Sequence, residues 1–391
     1  MERLYWNNDW KFAETWEEAM KEAVYPENEM EDVRLPHTCK ELPYHYFDEH
    51  AYQMLCGYRR HFMAPEAWQG KSVELTFEGV AHDAVVYVNG TEVKAHHCGY
   101  TAFFVEIAKY LKYGEDNVLA VRVDSRENLN IPPFGYAIDY MTFGGMYREV
   151  YVQVRNKTHL ADVFVKPQIH PLQVTTEITV QNISDGITLQ QEIRKKGEGA
   201  YSPLGKKPVK QTNVQTVFPV QEICLWEPEN PYLYEIRTSL WKNGEMIDAR
   251  VDITGFREAG FRKDGFYLNG KKLRLRGLNR HQSYPYVGYA APASMQIFDA
   301  DILKKELGVN AVRTSHYPQS QDFIRRCDEI GLLVFTEFPG WQHIGDEEWK
   351  RQAVQNLKEM IVQYRNHPSI ILWGVRINES QDDDVFYRET N

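Results

Sequence analysis

A glutamate that could donate a proton follows a nearly all-apolar stretch of the sequence. Asn378 and Glu379 come just after residues 369–375 (SIILWGV), a run that includes Trp373. A carboxyl group held against an apolar wall keeps its proton near neutral pH, because desolvation disfavours the charged form. It could then protonate the leaving oxygen of a glycoside, worth ~10²–10⁴-fold in rate, while the neighbouring amide binds a sugar hydroxyl. An isolated Asn-Glu pair is more often a helix N-terminal carboxylate in a loop, so the surrounding residues must decide.

Polar side chains also follow the other strands predicted in the last third of the chain. These side chains are Asn279, His281, Arg313, His316, Glu337, Asn378 and Glu379. In a (β/α)₈ barrel the catalytic groups are built at the carboxyl ends of the strands. A regular series of this kind is unlikely by chance, and it favours a site over a purely structural arrangement.

The elements that must position these residues alternate between strands and helices after Gly255. Strands are predicted at 272–278, 309–313, 332–337 and 369–375, and helices at 296–307, 319–330 and 347–366. Such alternation produces an open doubly wound sheet or a closed barrel. A doubly wound sheet usually has a glycine-rich phosphate loop after its first strand. Residues 276–281 (RGLNRH) contain no such loop, so the barrel is favoured.

Two all-β regions precede these units. Up to about residue 156, short strands at 72–77, 84–88 and 118–123 are separated by turn signals, which indicates a β-sandwich. Helical periodicity there is confined to about 15–23. The next region, 157–255, has the size of an immunoglobulin-like sandwich. Within it, the Lys- and Gly-rich residues 195–211 are expected to form an exposed loop.

Composition excludes several classes of function. The 391 residues predict two or three domains, and the net charge of −10 argues against nucleic-acid binding. No run approaches the ~20 apolar residues of a membrane span, and no signal-peptide stretch opens the sequence. Five scattered cysteines indicate reduced thiols and a cytoplasmic protein. Adjacent His96, His97 and Cys98 would point to alternate faces of a strand, so a shared metal is improbable.

The segment before Glu379 carries a family resemblance. Residues 366–373 (NHPSIILW), leading into Asn378-Glu379, closely resemble the acid/base signature of glycoside hydrolase family 2. That family includes β-galactosidases, β-glucuronidases and β-mannosidases. Further segments agree with it in the expected order: 77–80, 88–90, 99–101, 144–150, 225–228, 230–234, 276–281 and 310–318. The resemblance spans nearly the whole chain.

The resemblance implies three domains and a set of roles. The domains are a jelly-roll sugar-binding sandwich (1–156), an immunoglobulin-like β-sandwich (157–255) and the first half of a (β/α)₈ TIM barrel (256–391). By position, Glu379 would be the catalytic acid/base and Asn378 its sugar-binding neighbour. Arg313 would hydrogen-bond the nucleophilic carboxylate and keep it ionised.

The same resemblance implies contacts with the non-reducing sugar. His281 and His316 would line its subsite, and the two histidines at matched strand ends support each other. Asp139 matches a loop aspartate that reaches from the jelly roll to sugar hydroxyls in β-galactosidases. Together, Asp139 and His316 favour a β-galactosidase.

One departure from the family concerns metal binding. Large β-galactosidases of this family bind magnesium through a Glu and a His after the third barrel strand, together with the acid/base. Here residues 337–343 read EFPGWQH, which retains His343 but has Trp341 at the Glu position. With one anionic ligand missing, we expect no tightly held magnesium and no other cofactor.

A retaining glycosidase also needs a second carboxylate about 5–5.5 Å from the first. No residue upstream of Glu379 has the right context, and Glu337 fits a supporting role better. The sequence contains only four of the eight expected strands, so we expect an N-terminal portion that is inactive alone.

The leading hypothesis is therefore a retaining exo-β-glycosidase that hydrolyses terminal β-galactosides, with possible homo-oligomers of the whole protein. A β-glucuronidase of the same family is the alternative. A non-catalytic carbohydrate-binding module is a rival of another class, but it gives no reason for acid/base chemistry at a barrel strand end. A purely structural half-barrel that needs a separate chain to complete it is a further rival.

Overall fold

The N-terminal region is a sandwich of two antiparallel sheets. The computed structural model describes residues 3–45 and 48–391. The larger sheet has the order Glu31–Val33, Trp10–Ala13, Leu55–Met63, Asp116–Asp124, Asp83–Val88, Thr91–His96. The smaller sheet has the order Leu4–Tyr5, Val150–Arg155, Ser72–Phe77, Phe103–Glu106. Alternating buried side chains from both sheets form one core, and the periodicity at 15–23 yields a 3₁₀ turn, Glu18–Lys21.

The second region is also a two-sheet sandwich. Its first sheet has the order His159–Ile169, Leu172–Gln181, Asn213–Pro219, and its second Ser202–Pro208, Ile187–Lys195, Tyr234–Lys242, Glu245–Thr254. The expectation of a loop at 195–211 is wrong, because Ser202–Pro208 pairs with Ile187–Lys195 as an edge strand. Exposed lysines on an edge strand discourage pairing with other chains. The same lysines make the composition of this strand similar to that of a loop, which explains the wrong prediction.

The third region contains four parallel strands, which confirms the first half of a barrel. These strands, in spatial order, are β1 Gly277–Arg280, β2 Ala311–Thr314, β3 Leu333–Glu337 and β4 Ile370–Gly374. The helices are α1 Ala293–Asp301, α2 Gln321–Ile330, α3 Glu347–Tyr364 and α4 Asp384–Thr390, with a π-helical turn, Ile302–Glu306, after α1. Sequence reasoning did not predict α4.

The first predicted barrel strand was misplaced. Residues 272–278 divide between Lys271–Leu273, which closes a small antiparallel sheet, and the start of β1. That small sheet also contains Ala259–Arg262 and Gly265–Leu268. Only β1 pairs with β2, in parallel, from Gly277↔Ala311 to Arg280↔Thr314. Local apolar pattern did not distinguish the two strands, because both are short and lie close together in sequence.

Burial of the sheet differs from the expectation for its last strand. Residues 369–375 were predicted to be buried on both faces, yet Leu372 in β4 is 37% exposed and Leu278 in β1 is 48% exposed. Both strands lie at the ends of the four-stranded sheet. Each end strand lacks a neighbour on one side among the described residues, so apolar side chains there stay partly open.

Caps position the helices behind the sheet. The Ser320 side chain accepts a hydrogen bond from the Asp322 N–H at the start of α2, and Gly331 ends that helix in a left-handed conformation, φ 70°. A Cβ at Gly331 would lie 2.3 Å from the Pro228 carbonyl oxygen, so glycine is required there. At α3, the Asp346 side chain accepts from the N–H groups of Glu348 and Trp349.

The jelly roll docks on α3 through a buried polar cluster. The Glu359 carboxylate accepts hydrogen bonds from Thr101 Oγ1 at 2.7 Å and His96 Nε2 at 3.1 Å. The Ala102 N–H donates to Gln363 Oε1 at 2.8 Å. Burial alone would raise the pKa of Glu359, but His96, Gln355 and Thr101 lower it to about 2.

This cluster predicts an acid-dependent loss of stability. A pKa lowered on folding stabilises the fold above the unfolded value of 4.5, and the contribution disappears as pH falls toward 2. We expect Glu359→Gln to lose ~1.5–3 kcal/mol of unfolding free energy at pH 7. The difference from wild type should shrink between pH 4.5 and 2 in urea titrations. Glu347→Gln, on the exposed start of α3, should stay within about 0.5 kcal/mol at every pH.

The cysteines and the adjacent His96 and His97 have ordinary protein partners among the described residues. All five cysteines are free thiols, and His97 pairs with Asp83 while His96 faces the barrel. Across residues 3–45 and 48–391, no helix is long and apolar enough to cross a membrane. The expected cytoplasmic location stays a prediction.

Candidate active site

The carboxyl ends of the four parallel strands meet at one edge of the sheet. Asn279 of β1 is in register with Arg313 of β2, and Arg313 with Phe335 of β3. Glu337 closes β3 opposite Gly374 of β4. Parallel register therefore brings the polar residues predicted at strand ends to a common edge, as a barrel requires.

Glu337 lies at the centre of this edge. Its side chain is completely buried, and each oxygen has a partner. Arg313 Nε donates to Oε1 at 2.5 Å, and His316 Nδ1 lies 2.9 Å from Oε2. A carboxylate only accepts hydrogen bonds, so Nδ1 of His316 carries the hydrogen. Both Glu337 oxygens are occupied, and the carboxylate orients its neighbours rather than facing a ligand.

Arg313 extends this network to the residue beside Glu379. Its Nη2 donates to Asn378 Oδ1 at 2.7 Å. Since the carbonyl oxygen of the amide faces the guanidinium, the Asn378 NH₂ group is left to donate elsewhere. Asn378 is exposed, so that donor is available to a ligand. The sequence placed Arg313 and Asn378 at strand ends but did not predict this contact between them.

Glu379 itself is exposed rather than held against an apolar wall. The turn that carries it follows β4, and its carboxylate makes no hydrogen bond or ion pair within residues 3–45 and 48–391. Trp373 lies in β4 and is only half-buried. The expected desolvation by Trp373 is wrong for this structure. The strand before it, β4, lies at an end of the four-stranded sheet, and solvent reaches the carboxylate.

Aromatic rings surround the two histidines. The Tyr140 ring lies 5.3 Å from the His281 ring and 5.8 Å from the His316 ring, centroid to centroid, and the two imidazoles are 5.6 Å apart. His281 Nδ1 lies 3.2 Å from the Tyr317 hydroxyl. Although His281 keeps an exposed surface, burial of its packed side lowers its pKa to about 4, helped by His316, Arg280 and Arg313.

Tyr140 brings a jelly-roll loop into the barrel. Its hydroxyl donates to the Gly340 carbonyl at 3.0 Å, and its ring also contacts Trp341, edge to face at 6.1 Å. Asp139, the preceding residue, is exposed at the same edge, with no hydrogen bond within the described ranges. The structure thus brings the loop of Asp139 to the strand ends.

Magnesium does not fit the residues after β3. The Trp341 indole packs on His316, with ring centroids 5.0 Å apart, instead of presenting an anionic oxygen. His343 contacts the rings of Tyr136 and Trp349, and burial lowers its pKa. Among the described residues, no group of three or more His, Cys, Asp or Glu side chains could hold a metal.

Sequence reasoning missed three residues of this site. Tyr140, Tyr317 and Trp341 form the aromatic wall around the histidines. Each is adjacent to a feature that was identified: Tyr140 follows Asp139, Tyr317 follows His316, and Trp341 was considered only as a lost metal ligand. An aromatic residue next to a predicted site residue is a signal that could have found Tyr140 and Tyr317.

Three family models match successive parts of the chain. Residues 31–155 match the sugar binding domain of glycosyl hydrolases family 2, and 158–257 match the model named for the family itself. Residues 260–389 match its TIM barrel domain.

Curated relatives and solved structures agree with these matches. The chain is 48% identical to a β-galactosidase of Thermoanaerobacter pseudethanolicus over 99% of its own length and 53% of the relative's. It is 46% identical to a β-galactosidase of Thermoanaerobacterium thermosulfurigenes, over 98% of its own length and 55% of the relative's. A Bacteroides uniformis β-glucuronidase, covalently bound to cyclophellitol-6-carboxylate aziridine, superimposes with a TM-score of 0.89 at 28% identity, covering 100% of this chain and 49% of that one. The chain spans about half the length of the curated relatives it matches.

Proposed function

Because this chain belongs to glycoside hydrolase family 2, we propose that it supplies the proton donor and part of the sugar subsite of a retaining exo-β-galactosidase. The observation that carries the proposal is the contact of Arg313 with Asn378, which sets the amide beside Glu379 at the end of β4. A carbohydrate-binding module would have no use for a network that orients an amide beside an exposed carboxylate.

Glu379 acts in both halves of the reaction. In the first, a second carboxylate attacks the anomeric carbon while Glu379 protonates the glycosidic oxygen, and the alcohol leaves. In the second, Glu379 removes a proton from water, which attacks the same carbon and releases the sugar and the second carboxylate. The Asn378 NH₂ group donates to a sugar hydroxyl, where a hydrogen bond that strengthens in the transition state lowers the barrier.

We assign the second carboxylate to a part of the barrel outside residues 1–391. Glu337 cannot serve, since it is buried and both of its oxygens are engaged by Arg313 and His316. Arg313 Nη1 makes no hydrogen bond within the described ranges, and a guanidinium is suited to hold a further carboxylate in its charged form. On this basis residues 1–391 alone have no glycosidase turnover.

The sugar at the non-reducing end meets histidines, rings and a carboxylate. A neutral His281, an Nδ1-protonated His316 and the exposed Asp139 offer donors and acceptors for sugar hydroxyls. The partly exposed Tyr140 presents aromatic surface, which packs favourably on apolar sugar faces, and the buried Trp341 packs behind it and His316. Recognition by hydrogen bonds with such groups is stereospecific, because an unmatched hydroxyl leaves a polar group unpaired.

The preference for galactose rests on the relatives, and glucuronic acid is the second candidate. Two relatives named β-galactosidase are 48% and 46% identical to the chain, whereas a putative β-glucuronidase of Formosa agariphila is 31% identical. The structural neighbour with a TM-score of 0.89 is a β-glucuronidase. A glucuronide carries a carboxylate, whose recognition requires a cation in the sugar subsite.

Substrate preference can be measured directly. We expect the natural polypeptide that carries this sequence to hydrolyse aryl β-galactosides with a kcat/KM at least about 100-fold above that for aryl β-glucuronides, since an unmatched carboxylate costs several kcal/mol. Product analysis by NMR should show the β-anomer first. A reversed preference would support the β-glucuronidase, and an α-anomer first would contradict the retaining mechanism. Measurable turnover by residues 1–391 alone would contradict the missing second carboxylate.

A further inference from the structure

Two hydroxyl groups from different domains bind successive carbonyls of one loop. Residues 338–342, which follow β3, are here called the shared loop. Tyr140 of the jelly roll donates to the Gly340 carbonyl at 3.0 Å, and Ser380, from the turn after β4, donates to the Trp341 carbonyl at 2.8 Å. The shared loop therefore connects the segment that carries Asp139 with the turn that carries Glu379.

On the barrel side, Ser380 closes that turn. Its Oγ accepts from the Ile377 N–H at 3.2 Å, and its own N–H donates to the Ile377 carbonyl at 3.0 Å. The next residue, Gln381, donates its N–H to the Gln342 carbonyl at 2.9 Å. Asn378 and Glu379 lie within the turn that the bonds between Ile377 and Ser380 close. Ser380 therefore closes this turn and also connects it to the shared loop.

The shared loop has little freedom to move independently. The Gly340 N–H donates to the His316 carbonyl at 3.2 Å. A Cβ at Gly340 would lie 2.8 Å from the Phe338 ring and 3.1 Å from an Ile377 side-chain carbon. The close approach of Ile377 means that the loop and the turn are packed as well as hydrogen-bonded.

We propose that Tyr140 and Ser380 are positioning residues, which act through the shared loop to set Glu379 relative to the sugar held near Asp139. The inference rests on the proposed function, since it assumes that Glu379 is the proton donor. Neither hydroxyl touches the reacting atoms. A general acid must lie within hydrogen-bond reach of the leaving oxygen, so a displaced turn slows proton transfer before it weakens sugar binding.

The test uses the natural polypeptide with Tyr140→Phe, Ser380→Ala and the double variant. Aryl β-galactosides with poor and good leaving groups distinguish proton donation from other steps, because only a poor leaving group needs the acid. We expect each single variant to lower kcat/KM roughly three- to ten-fold on the poor leaving group, the effect of one hydrogen bond, and less than two-fold on the good one. The double variant should fall by less than the product of the two, because both hydroxyls act on one loop.

Two further variants separate positioning from general damage. Ser380→Thr keeps the hydroxyl and should restore most of the lost rate. Tyr113→Phe removes a phenol that donates to the Ala108 carbonyl within the jelly roll at 2.8 Å, and it should leave both substrates unaffected. Equal losses on both leaving groups, or strictly multiplicative effects in the double variant, would overturn the inference.

Hydrogen–deuterium exchange tests the connection without any substrate. In Tyr140→Phe, the amides of residues 377–381 should exchange roughly three- to ten-fold faster, although Tyr140 does not touch them. Unchanged exchange there contradicts the inference whatever the activity. Wild-type protein that hydrolyses neither β-galactosides nor β-glucuronides would instead contradict the proposed function. The exchange result would then still decide whether Tyr140 acts on residues 377–381 through the shared loop.

Discussion

We expect Glu379→Gln to lower kcat/KM by ~10²–10⁴-fold on a β-galactoside with a poor leaving group, the usual contribution of a positioned general acid. An aryl galactoside with a good leaving group should keep most of its kcat/KM, because that bond breaks without a proton. Its kcat should nevertheless fall, since Glu379 also activates the water of the second step. Steady-state kinetics of the natural polypeptide on both substrates provides the measurement.

Added azide makes the assignment more specific. A small anion needs no general base, so azide should raise the kcat of Glu379→Gln on the good leaving group and yield a β-galactosyl azide. The matched control is Glu389→Gln, the same chemical change at an exposed position of α4, which should leave all rates within about two-fold. Normal kcat/KM of Glu379→Gln on the poor leaving group would refute its role as the proton donor.

The second large effect is on stability. Arg313→Met removes the guanidinium from the buried Glu337 carboxylate. Removing one partner of a buried ion pair typically costs 3–5 kcal/mol, because the other charge stays buried without compensation, and we expect about that loss here. Urea unfolding of the natural polypeptide measures it. Activity should fall as well, because Asn378 loses the contact that orients its amide.

A double-variant cycle tests the physical reason. Glu337→Gln removes the buried charge at nearly constant shape, so adding it to Arg313→Met should recover part of the lost stability. Arg351→Met removes one member of an exposed pair with Glu348 on α3 and should change stability by less than about 1 kcal/mol. If Arg313→Met were as mild as Arg351→Met, the buried network would not be the stabilising element described.

Much of the site was predictable because barrel strands impose a local rule. Strand ends could be read from apolar runs that stop at polar residues, and parallel pairing then had to bring Arg313, Glu337 and Asn378 to one edge. Membership of the family could be predicted because its motifs lie in order along the chain, and three family models confirm it. The half-barrel could be predicted because its strands alternate with helices, and the four parallel strands confirm it. The individual roles of the site residues remain proposals.

What the sequence did not reveal depends on contacts between distant segments. Tyr140 binds a loop two hundred positions away in the chain, and nothing near Tyr140 indicates that partner. The edge strand Ser202–Pro208 looked like a loop because most of its side chains face solvent, while its backbone pairs with Ile187–Lys195. The exposure of Glu379 likewise depends on how many strands surround it, which local pattern does not report.

The lowered pKa of His281 has a consequence for any pH–rate profile. With a pKa of about 4, the ring carries no charge from weakly acidic to alkaline conditions, so its hydrogen-bonding pattern is constant there. An inflection in rate between pH 5 and 8 must then come from another ionisable group. Over that range His281 would stay neutral, with one nitrogen that donates and one that accepts a hydrogen bond, as an amide does. His281→Asn should therefore change the maximum rate of the pH–rate profile without moving its midpoints.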